Sequence, residues 1–153
     1  MGDRERPSRH GAILGQALAE MAEAGGGCAG TCATCAFRPG TMTNQMAATG
    51  LTALHCALGT DPDPFGCHHG MKDGRPTKLC AGYEAARQVS FDEVAAIMER
   101  LKTRMDAMTG PDDVRATYDA WAAEADPDGA LDDYQLARLY EKQRPTTQEG
   151  PNP

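Results

Sequence analysis

At 153 residues the chain can bury one core, yet three Phe, four Tyr and one Trp leave Ala, Leu, Met and Val to fill it. The net charge of −7 sits wholly in residues 90–153, where seven Lys/Arg face fourteen Asp/Glu; residues 1–89 balance at eight of each. Such a chain lacks the basic surface that drives nucleic-acid affinity, and no apolar run approaches the roughly 20 residues of a membrane span.

Residues 1–11 read as a disordered lead, charged rather than built around an apolar signal core. Without export the chain is expected in a reducing cytoplasm. From Ala12 the apolar residues Ile13, Leu14, Ala17, Leu18 and Met21 recur at helical spacing, with Gln16, Glu20 and Glu23 opposite. Gly25-Gly26-Gly27 ends that helix.

A second helix is expected over 44–58, with Ala47, Leu51, Leu54 and Leu58 on its inner face and Cys56 on its outer one. The prolines of 60–65 bias the residues before them to extended geometry, which makes this stretch a rigid connector. Residues 66–82 read as loops with a tight turn at 72–75, and a short β-hairpin there would present Cys67 and Cys80.

Ser90-Phe91-Asp92-Glu93 is a capping box, flanked by Val89 and Val94 at the staple positions. Val94, Ile97, Met98, Leu101, Met105 and Met108 then trace one helical face until Thr109-Gly110-Pro111 stops it. A methionine stripe of this kind is core. Further helices are expected over 112–125, with Val114, Tyr118, Trp121 and Ala122 inward, and over 132–143, with Leu136, Leu139 and Tyr140 inward. The tail from 144 reads as disordered.

The chemistry lies between residues 28 and 80, which hold all six cysteines and three of the four histidines. In a reducing compartment, thiols this close point to metal rather than disulfides. A structural zinc ion wants four thiolates, or three with an imidazole. Cys32 and Cys35 supply one Cys-x-x-Cys pair; Cys67 and Cys80, with twelve residues between them, supply the other two sulfurs. Cys28, His68 and Cys56 stand as alternates. The same four thiolates would hold a [4Fe–4S] cluster, so zinc and iron–sulfur both remain open. Cys28-x3-Cys32-x2-Cys35 also has the spacing of the radical S-adenosylmethionine cluster motif, but the short chain shows no alternating strand–helix pattern.

Cys32-x-x-Cys35-Ala36-Phe37-Arg38, Phe65-Gly66-Cys67-His68 and Cys80-Ala81-Gly82 together resemble an uncharacterised family of small cysteine-motif proteins of phages and actinobacteria. Ala36 departs from that family's usual proline, and the match covers residues 32–82 only. The resemblance implies Cys32, Cys35, Cys67 and Cys80 as ligands, with His68 as alternate, and implies no activity.

Residues 124–135 resemble an EF-hand loop, with Asp126, Asp128, Gly129, Leu131 and Asp132 at loop positions 3, 5, 6, 8 and 9. Glu124 and Gln135 stand where that loop wants its end ligands, so the expectation is an acidic turn in which Asp132 caps the last helix. No nucleophile-elbow, phosphate-loop or zinc-protease motif points to an enzyme. The reading is a mainly α chain with a metal-stapled, cysteine-rich region at 12–89 packed beside an acidic three-helix unit at 90–143. Its expected role is a zinc-stabilised interaction or regulatory module with a protein partner, phage-associated; the alternative is an iron–sulfur electron carrier or redox sensor.

Overall fold

The computed structural model describes residues 6–26, 35–61, 71–73, 75–76 and 81–143. Among them are six α-helices: α1 (Arg9–Ala24), α2 (Ala47–Leu58), α3 (Ala81–Ala86), α4 (Phe91–Ala107), α5 (Asp113–Ala125) and α6 (Asp133–Gln143). A 3-10 turn, Thr43–Gln45, precedes α2. Two-residue strands β1 (Met71–Lys72) and β2 (Arg75–Pro76) pair antiparallel, Met71 opposite Pro76. The fold is mainly α, and none of its described helices is long and apolar enough to cross a membrane.

Helix α1 is the hub. Its Leu14, Ala17, Leu18, Met21 and Ala22 are buried, and it packs against α2, α3, α4 and the 3-10 turn. The apolar spacing that predicts this helix also gives its inner face. Its start differs from expectation, because residues 6–11 are folded rather than a disordered lead. Ser8 Oγ caps the helix by accepting from the Gly11 N–H at 3.0 Å, and Pro7 is fully buried. The Arg9 guanidinium donates to the carbonyls of Thr109, Gly110 and Pro111, while the Arg9 N–H donates to Asp112 Oδ1. A polar, charged stretch looks disordered when read alone; here its donors are matched by a turn a hundred residues away.

Two apolar cores result among the described residues. The first joins α1 to Phe37, Ala53, Leu54, Cys56, Tyr83, Ile97 and Leu101. The second holds Met42 and Met46 against Tyr118, Leu136, Ala137 and Tyr140, with Trp121 packed on it. Its aromatic rings lie at 4.9–5.7 Å between centroids, two of the three pairs edge to face.

This division corrects the expected one at residue 90. Helix α4 belongs to the first core, with α1, and α5–α6 form the second with the 42–46 segment. Glu20 adds polar links from α1 to α4, at 3.2 Å to Arg100 and 3.0 Å to Arg104. Partly exposed pairs of this kind contribute little each, so the apolar stripe decides the packing. The Ser90 cap on α4 is as the sequence predicts, accepting from the Glu93 N–H at 3.2 Å.

The loop resembling an EF-hand is a turn closed on itself. Asp126 accepts from the Ala130 and Leu131 N–H groups. Asp132 and Gln135 form a reciprocal capping box at the start of α6, at 2.8 and 2.9 Å. Gln135 therefore serves the helix terminus. Gln135→Ala should cost about 1 kcal/mol in denaturant unfolding, the usual worth of a cap; an unchanged midpoint would show that the box contributes nothing.

Candidate metal centre

Described residues that flank three of the cysteine-bearing stretches pack together around α1. The first contact involves Phe37, two residues after Cys35, and Gly82, two residues after Cys80. Phe37 is 0% exposed, and a Cβ at Gly82 would overlap its side chain. The second involves Gly25, three residues before Cys28, which sits so close to the Ala85 carbonyl of α3 that a Cβ would overlap it. Helix α3, opening one residue after Cys80, is thus pressed against both the Cys35 loop and the end of α1. Its Tyr83 is buried, and Arg87 lies over the Tyr83 ring at 5.5 Å. The hydrogen bond from Arg87 to the Tyr83 hydroxyl raises the guanidinium's pKa above its ordinary value.

Cys35 itself is buried, and its Sγ accepts from the Phe37 N–H at 3.4 Å. The Phe37 amide gives this buried sulfur a hydrogen-bond donor. The loop is held by Thr41 and Asn44. Thr41 Oγ1 donates to the Cys35 carbonyl at 2.9 Å and accepts from the Asn44 N–H at 2.9 Å. Asn44 Nδ2 donates to the Ala36 and Gly15 carbonyls at 2.6 and 3.0 Å. Neither residue features in a reading based on thiols. Their signal is the Thr41-x-x-Asn44 spacing after Pro39-Gly40, which suits a hydroxyl that caps the following turn.

Cys56 is buried, in the first core, not on an outer face of α2. Leu51, expected inward, is 49% exposed. The large apolar residues suggested one stripe, but the small ones decide: Gly50 and Ala53 face inward, and Leu14 of α1 packs against Gly50. That rotation carries Cys56 to the buried side.

Cys28, Cys32, Cys67, His68 and Cys80 lie outside the described residues, as does the expected presentation of Cys67 and Cys80 by a hairpin. Among the described residues no three Cys, His, Asp or Glu side chains gather closely enough to hold a metal ion. Of the four expected ligands only Cys35 is described: its sulfur is buried and accepts from an amide, and Gly82, two residues after Cys80, lies against the Phe37 side chain two residues after Cys35. Comparison of the chain with protein-family models, curated proteins and solved structures found no match.

Proposed function

We propose that the chain folds around a structural zinc ion held by Cys32, Cys35, Cys67 and Cys80, with Cys28, His68 and Cys56 as alternates. The helical body is then a zinc-stabilised interaction or regulatory module that acts through a protein partner. The observation that carries this reading is the Cys35 sulfur, buried under the Phe37 amide in a loop packed against α3. A bound zinc supplies folding free energy, about 10 kcal/mol or more in small structural sites, to a region otherwise rich in loops. The ordered cysteine motifs support a kinship with the phage and actinobacterial cysteine-motif proteins. The acidic charge from residue 90 onward disfavours nucleic acid as the partner.

A [4Fe–4S] cluster serving electron transfer or redox sensing is the second reading. Six cysteines exceed the four a zinc site needs, and amide hydrogen bonds to sulfur also tune cluster potentials.

Purification without oxygen, followed by metal analysis, separates the two. Colourless protein with one zinc per chain supports the first reading; a brown solution that bleaches on reduction supports the second. Cys35→Ser should abolish stoichiometric metal in either case, and full retention would sink the ligand assignment. Complete loss of metal in Cys56→Ser would move Cys56 into the ligand set.

A further inference from the structure

We propose that the α5–α6 pair is an exchangeable arm: it leaves its seat on residues 42–46 and takes the same seat on a second copy of the chain, so that two chains join by swapping arms. No described cysteine belongs to this seat, so the exchange is independent of any metal.

Arm and seat meet in the second core. The arm supplies Tyr118, Trp121, Leu136, Ala137 and Tyr140, while among the described residues the body supplies Met42 and Met46 alone. Most of this core therefore travels with the arm, and the body's share comes from one short segment. The polar contacts divide in the same way. Glu141 Oε2 of α6 accepts from the Met42 N–H at 2.6 Å, and Asp119 of α5 pairs with Arg6 at 2.8 Å. A second chain offers the identical methionines, amide and guanidinium, so an exchanged arm needs no new complementary surface.

The joint is the turn at 108–112, between α4 and α5. Gly110 closes it at φ +82°, a left-handed conformation that residues with a Cβ resist. A polar latch holds the turn in place: the Arg9 guanidinium donates to the carbonyls of Thr109, Gly110 and Pro111, and the Arg9 N–H donates to Asp112 Oδ1 at 3.0 Å. The guanidinium bonds are exposed, so water replaces them when the joint opens. Straightening at Gly110 carries the arm off its own seat, and its Tyr118 and Tyr140 then find Met42 and Met46 only on a neighbour. Exchange adds no contact and costs the freedom of a second chain. The closed chain therefore prevails when dilute, and the swapped pair forms as concentration rises.

Trp121 is the single tryptophan and packs on the second core, so its emission reads whether an arm is seated. Light scattering of the full chain in reductant, over a concentration series, should show a monomer giving way to a dimer with unchanged Trp121 emission. Gly110→Ala strains the closed joint alone and should lower the dimer's dissociation constant roughly ten-fold or more. Met42→Asp and Tyr140→Asp each spoil one half of the contact, leave the first core untouched, and should shift Trp121 emission to the red. Mixed together they should recover part of the wild-type emission, because a swapped pair sets the intact Tyr140 of one chain on the intact Met42 of the other. Equal dimerisation by Gly110→Ala and wild type, including none by either, overturns the exchange. So does a mixture whose emission is the sum of its parts, since any dimer is then joined by its outer surface.

Discussion

Phe37→Ala should destabilise the chain by about 3–5 kcal/mol, a large share of its stability. Phe37 is fully buried at the point where the Cys35 loop, α1 and α3 meet. Removing a buried phenylalanine costs about 3–5 kcal/mol, against a total stability of about 5–15 kcal/mol for a domain. The surroundings cannot collapse into the space cheaply, since the loop is pinned by Thr41 and Asn44. Gly82→Ala should harm the same contact from the other side, because its new methyl group would occupy the ring's position. The two sites must therefore interact. In a double-mutant cycle, Phe37→Leu with Gly82→Ala should depart from additivity by about 0.5–3 kcal/mol, since the new methyl group meets the Cβ, Cγ and Cδ1 atoms of Phe37. Strict additivity in urea unfolding would show that the ring and the glycine do not share one space.

Deleting residues 1–11 should destabilise the chain by about 3 kcal/mol or more, although the composition of this stretch marks it as dispensable. The Ser8 cap accounts for about 1 kcal/mol. Arg9 adds charge-assisted hydrogen bonds to three carbonyls, bonds to charged groups being worth about 1.5–3 kcal/mol before allowance for its partial exposure. The deletion also removes Pro7 from the interior and shortens the hub helix. Arg9→Met isolates the guanidinium: it should lower the thermal midpoint and speed hydrogen exchange at Gly110 and Asp112. A deletion with wild-type stability would mean that the α4–α5 turn holds itself.

What could be read in advance follows from where each signal resides. Helix α4 was legible because its cap, its staple valines and its stripe are all local in sequence. The same holds for the Asp132–Gln135 box. Helix α3 was hidden, since Cys-Ala-Gly reads as loop; Gly82 is helical because Phe37 lies against it, a fact recorded 45 residues earlier in the chain. The rotation of α2 misled for a related reason. Leu51 and Leu58 complete a convincing stripe, while the decisive contact is the absence of a side chain at Gly50. For the site, the thiol spacing identifies Cys35 as a candidate, and its burial and amide donor agree with that role. Thr41 and Asn44 act through position rather than chemistry, and no motif for metal ligands names them.

The hub position of α1 has a consequence during biosynthesis. Its apolar face leaves the ribosome long before α4, whose Ile97 and Leu101 cover it. At roughly 5–20 residues per second, the interval between the end of α1 and the end of α4 lasts several seconds. Over that time Leu14, Leu18 and Met21 have only the Cys35 loop, the 3-10 turn, α2 and α3 for shelter, and α4 is not yet made. Pairings so distant in sequence also close slowly after release. The nascent chain should therefore be a client for holding chaperones, and slowed translation before residue 107 should lower its soluble yield.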